Sequence, residues 1–266
     1  MAGIKDKVRR FYEAHPYPSQ RVSCAHDLVS SGHEKVMRQI LSVAGISDSW
    51  LQGKRILDGG CGTGEKAIYC ALHGAKADAF DFSRTSIRLA KESASKLNAK
   101  VNFKVASFES VRLSHNYDLI LLIGTLHHTE SPKANFLRMA KHLAPGGKIA
   151  LGLYNVYGRL ACRLHRKLLW AGEENPDKII EKIGAHNEKN GVRLALLADR
   201  FASPHETYHS VEEVLQWFSE AGIAPIATHP KTKLTSPISM KLSQFSWLLK
   251  SKGFFFVGGR KQALDF

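Results

Sequence analysis

The chain has 266 residues, 44% of them hydrophobic and 23% charged, an ordinary globular balance for one large domain or one domain with sizeable additions. Its longest apolar runs, Leu119–Gly124 and Phe254–Gly259, are far too short to span a bilayer; the charged N-terminus has no signal-like apolar core; and four cysteines without CxxC spacing signal neither a zinc knuckle nor a disulfide framework. A cytoplasmic location is the expectation, and the balance of 38 basic to 24 acidic residues gives +14, a field that attracts polyanions, RNA above all, or is only a solvated basic surface.

Residues 1–52 read as a helical extension with a proline-rich turn at His15–Pro18. A strand is expected at Arg55–Gly60 and a helix at Gly64–Gly74, where Gly74 is a natural C-cap. A strand at Lys76–Ser83, a helix at Arg84–Asn98 and strands at Val101–Ser107 and Tyr117–Gly124 follow. A helix starts at Pro132 and is closed by Pro145-Gly146-Gly147, ahead of a fifth strand at Lys148–Asn155. Residues 155–208 are a long insertion, and 209–266 resume the alternation. Ser210 and Glu213 stand in capping-box spacing at the head of a helix, and Phe254–Arg260 is a last strand. Between them, 223–252 reads as irregular with one short helix from Leu242 to Ser251. Strands alternating with helices predict an α/β fold, a doubly wound and mostly parallel sheet. The core is then 53–154 with 209–266, the extension at 1–52 a lid, and 155–208 an acceptor-side insertion.

The first strand-to-helix turn is Asp58-Gly59-Gly60-Cys61-Gly62-Thr63-Gly64. Glycines there let backbone approach a ligand closely. A dinucleotide fingerprint from Gly60 needs glycine at position 65, where the chain has Glu65. Asp58 and Glu65 also flank the loop with negative charge, a poor setting for a pyrophosphate. A ligand with cationic groups beside a nucleoside fits better, and S-adenosylmethionine carries a sulfonium and an ammonium. Asp81 ends the second strand, where a carboxylate can accept both ribose hydroxyl protons.

With "ILDGGCGTG", Asp81, "YDLILLIGTLHHTESP" and "LAPGGKIALGLY", the chain resembles the class I S-adenosylmethionine-dependent methyltransferases. The resemblance covers Gly53–Tyr154 and resumes over 209–266. It implies a seven-stranded sheet whose last strand is antiparallel. It also implies that Asp58, Gly60, Gly62 and Gly64 hold the methionine end of S-adenosylmethionine and Asp81 the ribose. Cys61, Phe82, Ser107 and Gly124 are the further cofactor contacts expected. Ser107 stands where many members have an Asp on the adenine amine, and Glu109 is the alternative there.

A base can be needed for a neutral amine, hydroxyl or carbon acceptor. His127 and His128, after the fourth strand, are the candidates, with Tyr154 at the end of the fifth. Either histidine can equally stack near the cofactor or cap the next helix. Tyr12, Tyr17, Asn155, Arg159, Arg163 and His205 are expected on the acceptor side, with Tyr12 and Tyr17 as lid or plain aromatic anchors. No metal site is expected: His205, Glu206, Tyr208 and His209 crowd one turn but lack a spaced ligand set. In "YGRLACRLHRKLLW", Arg159, Arg163 and Arg166 form one stripe and Leu160, Leu164 and Leu168 another. The arginines read as an RNA-phosphate rail, the helix as a membrane-surface helix, or the charges as a solvated face. The acceptor stays open between RNA and a small metabolite, with a non-catalytic cofactor- or RNA-binding protein as the competing class.

Overall fold

Short apolar runs, each bounded by turn residues, pair into one mixed sheet. The computed structural model describes residues 3–18, 33–184, 191–234, 236–249 and 253–262. Its strands are β1 (Arg55–Gly59), β2 (Lys76–Asp81), β3 (Val101–Val105), β4 (Tyr117–Ile123), β5 (Leu143–Tyr154), β6 (Ile223–His229) and β7 (Phe254–Lys261). They lie in the order β3-β2-β1-β4-β5-β7-β6. β1 to β5 are parallel, and β7 runs antiparallel between β5 and β6. This is the expected doubly wound seven-stranded sheet. Strand order reverses between β1 and β4, so a crevice opens at their carboxyl ends.

The helices are α1 (Ile4–Ala14), α2 (His33–Val43), α3 (Glu65–Leu72), α4 (Arg84–Lys96), α5 (Pro132–Ala140), α6 (Leu160–Leu169), α7 (Pro176–Lys182), α8 (Gly191–Ala202), α9 (Val211–Glu220) and α10 (Pro237–Leu249). On one face of the sheet, Met37, Ile40 and Leu41 of α2 pack with Ile56, Leu119 and Leu121. On the other, Phe136 of α5 stacks on Phe218 of α9, ring centres 5.4 Å apart, in a cluster with Leu57, Ile120 and Leu151. Each such fully buried side chain contributes about 1.5–3 kcal/mol, so these two layers hold the sheet that carries the crevice. A satellite core joins α1 to α7 and α8 through Phe11, Ile179, Ala198 and Ala202. Local chemistry sets the starts of the helices. Ser83 Oγ accepts from the Ser86 amide at 3.1 Å, and Ser210 Oγ accepts from the Glu213 amide at 3.1 Å.

Three expectations need correction. The span 223–252 holds strand β6, and its helix runs from Pro237 to Leu249 rather than from Leu242. Pro225 hid the strand: β6 pairs only with β7, so at this sheet edge a residue without an N–H is tolerated. Helix α5 stops at Ala140, and Leu143 already pairs with Tyr117, so the Pro-Gly-Gly run belongs to the irregular start of β5. The extension is also more than a lid, because α2 is part of the sheet's covering layer. Cys61, Cys70 and Cys162 are free and buried; Cys24 lies outside the described residues. Among the described residues, no helix is long and apolar enough to cross a membrane.

Candidate active site

A cavity of about 820 Å³, including its open mouth, sits at the carboxyl ends of β1, β2 and β4. Its wall includes Tyr12, Tyr17, Gly60, Gly62, Asp81, Phe82, Ser107, Gly124 and His128. All nine are residues singled out from the sequence. Phe80, Ala106 and Phe108 add an apolar wall, and Lys5, Glu109, Glu130 and Asp199 complete a polar rim.

The glycine loop has the backbone that its sequence demands. Gly60 and Gly62 hold φ of +68° and +55°, where side-chain-bearing residues are strained. A Cβ on Gly60 would stand 2.6 Å from Thr125 Cγ2, and one on Gly62 would run into the Tyr17 carbonyl. The Gly62 amide donates to Asp81 Oδ2 at 3.0 Å, and the Ser83 amide donates to Oδ1 at 2.9 Å. Asp81 is thereby aimed along the cavity wall, and its carboxylate keeps lone pairs for further donors. Burial pushes its pKa from 3.8 up to about 6, against the pull of the two backbone bonds.

Behind the loop lies a buried charge cluster. Asp58 is fully buried, its oxygens make no close hydrogen bond, and Lys66 Nζ stands 3.8 Å away. Glu65 is equally buried, with one oxygen on Thr63 Oγ1 and the other unpartnered. Burial raises both carboxyls, and Lys66 opposes that. Burial works against the Lys66 charge too, but Asp58 and Glu65 outweigh it and hold its pKa above the ordinary value. Two buried carboxyls against one lysine, beside a loop too tight for side chains, fit a ligand with cationic groups. The residues present therefore fit S-adenosylmethionine.

Opposite Asp81, His128 meets a residue that sequence reasoning missed. Its Nδ1 lies 2.8 Å from the His205 carbonyl, which can only accept. The proton is therefore on Nδ1, and the lone pair is on Nε2. Nε2 has no hydrogen-bond partner and stands 3.6 Å from Asp199 Oδ1. Burial lowers the His128 pKa, with Asp199 pulling the other way, so the ring is neutral near pH 7. Asp199 in turn accepts from Tyr12 Oη at 2.6 Å and Tyr154 Oη at 2.8 Å. A sequence signal existed: Asp199 sits within the apolar Ala195, Ala198, Ala202 stripe of α8, where a carboxylate is out of place.

Other candidates lie off the cavity wall. His127 is buried against Tyr154, ring centres 3.9 Å apart, with both nitrogens unpartnered and its pKa driven down by burial. Tyr154 lies behind the cavity wall and reaches it through Asp199 and through an edge contact with His128, ring centres 5.9 Å apart. Cys61 is buried within the loop, its pKa raised by burial. Gly64 serves packing, since a Cβ there would stand 2.8 Å from Ala90. His205 positions His128 through its carbonyl.

Two acceptor-side expectations are corrected. Asn155 is a buried joint: it donates to Gln244 at 2.9 Å and accepts from the Tyr157 and Gly158 amides. Arg159 lies under the site, 3.4 Å over the Tyr154 ring and 3.1 Å from Glu206 Oε2. Arg166 takes the other oxygen of Glu206 at 3.1 Å, while Arg163 stacks over Tyr208. The stripe expected to face phosphate thus faces inward, because Glu206 supplies a buried counter-charge.

Helix α1 roofs the cavity. Glu13 accepts from the Arg84 and Thr85 amides at 2.7 and 2.9 Å, and Lys5 pairs with Glu109 at 3.0 Å. Burial favours neutral Glu109, but bonds from Ser107 and Lys5 prevail and hold its pKa down to about 2. The Tyr17 carbonyl accepts from the Thr63 amide at 3.3 Å, laying the extension across the glycine loop.

Residues 33–228 match the methyltransferase domain family. An uncharacterised protein of Synechococcus is 28% identical over 195 residues, 64% of this chain and 47% of that protein. A ubiquinone biosynthesis O-methyltransferase of Idiomarina loihiensis is 30% identical over 107 residues, 40% of this chain and 44% of that protein. The chain thus spans less than half the length of these curated relatives. Among solved structures, magnesium protoporphyrin IX methyltransferase of Synechocystis with bound S-adenosylmethionine superposes at a TM-score of 0.60 and 14% identity, covering 98% of this chain and 99% of that one. The N-methyltransferase NodS of Bradyrhizobium japonicum, in complex with S-adenosyl-L-homocysteine, gives 0.56 at 14% identity over 96% and 99%. These two show a shared fold. With the family match spanning most of its length, the chain belongs to the methyltransferase domain family, the S-adenosylmethionine-dependent class that its glycine loop and Asp81 resemble.

Proposed function

We propose that the chain transfers a methyl group from S-adenosylmethionine to a small molecule with a reactive O–H or N–H group. One observation carries this reading: Gly60, Gly62, Asp81 and His128 line a single cavity, and the His128 Nε2, buried behind its surface, has no hydrogen-bond partner. When bound, the cofactor supplies a methyl group made electrophilic by its sulfonium. Gly60 and Gly62 would admit its methionine end, Asp58 would offset positive charge through the loop, and Asp81 would accept from the ribose hydroxyls. Ser107 and Glu109 are the polar groups available to its base. His128 then takes the acceptor's proton on Nε2. Asp199 stabilises the imidazolium from 3.6 Å, and the His205 carbonyl holds the ring in that tautomer. Helix α1 excludes water over the pair.

The acceptor class rests on relatives named for small molecules; the apolar wall of Phe80, Phe82, Ala106 and Phe108 adjoins the groups available to the cofactor's base. The inward-facing Arg159 and Arg166 remove the arginine stripe as support for RNA and leave only the net charge of +14 in its favour. Methyl-labelled cofactor with fractionated cell extract tests this: label is expected among small molecules, and label in RNA overturns the acceptor. His128→Asn is expected to lower single-turnover rates by about a hundredfold or more while cofactor Kd stays within about twofold. An unchanged rate removes His128 from the chemistry.

A further inference from the structure

Helix α6 is amphipathic in the reverse of the usual sense. Its arginine side is buried on Glu206, and Leu160, Leu164 and Leu168 point outward, the last 75% exposed. Helix α10 seats Met240 and Trp247 in the core. It buries Gln244, which binds Asn155 and the Val211 amide, and exposes Ile238, Leu242, Phe245 and Leu249. Those four recur at spacings of four, three and four, one stripe along the helix. Leu249 is 88% exposed and Ile238 73%. A globular surface rarely concentrates so many apolar side chains without a partner.

The two stripes are neighbours. Tyr157, just before α6, lies 5.4 Å from Phe245 of α10, ring centre to ring centre. Helix α6 follows the end of β5 and α10 precedes the start of β7, where Tyr154 pairs with Phe254. Both therefore flank the carboxyl edge of the sheet, the edge that also carries the cavity, which neither helix lines.

The two helices carry charge of one sign along their own segments, and the acid that meets α10, Glu212 of α9, accepts from Gln244 at 2.7 Å on its buried side. No Asp or Glu occurs from Tyr157 to Gly172, nor between Glu220 and Asp265. Lys167 and Lys241 are exposed beside the leucines, and the sequence carries lysines at 231, 233, 250 and 252 on either side of α10. An apolar stripe edged by lysines, on two segments without acids of their own, complements an anionic bilayer surface, with leucines at the acyl boundary and ammonium groups at the headgroups. A second copy of the chain would bring the same positive charge against itself.

We infer that α6 and α10 form a docking face for the surface of an anionic lipid bilayer, setting the mouth of the cavity at the membrane interface. The inference concerns binding alone and does not rest on the acceptor or on the role of His128. The full chain is sedimented with vesicles of phosphatidylglycerol and phosphatidylcholine, and with phosphatidylcholine alone. Affinity for the anionic vesicles is expected to be at least about tenfold higher and to fall as salt rises. Leu168→Ser, Leu242→Ser and Leu249→Ser together replace exposed side chains and leave the core intact. The triple variant is expected to keep its near-UV spectrum and lose at least about tenfold in binding. No binding at low salt, or equal binding by variant and parent, overturns the inference. So does a dimer that the three substitutions dissociate, which would identify a second copy as the occupant.

Discussion

Asp81 joins sequence, geometry and titration in one residue. The strand end places it, two backbone amides aim it, and burial lifts its pKa to about 6. Folding raises this pKa above the unfolded value, so the apo fold binds a proton that the unfolded chain lacks between 3.8 and about 6. The stabilisation is full at acidic pH and is lost as pH rises through about 6. Cofactor binding has the opposite sign, because ribose hydroxyls donate to the charged form. Calorimetric affinity is therefore expected to fall about tenfold per pH unit below about 6. Asp81→Asn should flatten that profile and weaken binding at neutral pH by about tenfold or more. A pH-independent affinity in the parent would contradict the role given to Asp81. Asp81 and the glycines were legible in the sequence because a ligand-bearing turn needs particular residues at fixed spacing. Asp199 was not recognised, since its part depends on α1, β5 and the histidine turn meeting at one carboxylate.

At the scale of the element, the insertion is held down by buried charge. Glu206 pairs with both Arg159 and Arg166, one oxygen each, and accepts from Tyr208 Oη. Burial opposes the Arg159 charge, but Tyr154 and Glu206 outweigh it and raise its pKa. Glu206→Gln keeps the shape and leaves two buried guanidinium groups without a counter-charge. A loss of about 3–5 kcal/mol in denaturant unfolding is expected. The exposed Lys133–Glu220 pair is the control: Glu220→Gln should change stability by about 1 kcal/mol or less. Equal small effects would mean that the insertion is held by its apolar contacts alone. The 3.6-residue periodicity correctly separated the arginine and leucine stripes of α6. It did not say which one faces inward, because a lone acid some forty residues away in the chain decides that.

For the whole molecule, the cavity proposed to take the cofactor lies between the sheet's carboxyl edge and the α1, α7, α8 satellite core. A ligand bound there stabilises both parts against unfolding. S-adenosylmethionine at a hundred times its Kd should contribute about 2.7 kcal/mol and raise Tm by about 5–10 °C. Asp81→Ala should remove most of that shift, whereas an unshifted Tm in the parent would disconnect the glycine loop from the cofactor. The net charge of +14 takes a different meaning in the folded chain, since part of the arginine complement is used internally and the lysines edge the exposed leucines.

By itself the sequence determined the alternating architecture, the glycine loop, the carboxylate at the end of β2 and the class of reaction. The first three follow from local spacing, turn chemistry and hydrophobic period, and the class of reaction from the family resemblance that those motifs carry. Only the tertiary structure decided which histidine lines the cavity, that Asp199 stands beside it, and that α6 turns its arginines in and its leucines out. Those outcomes depend on contacts between residues distant in the chain, where one buried counter-charge outweighs the preference of any single helix for its own polar face.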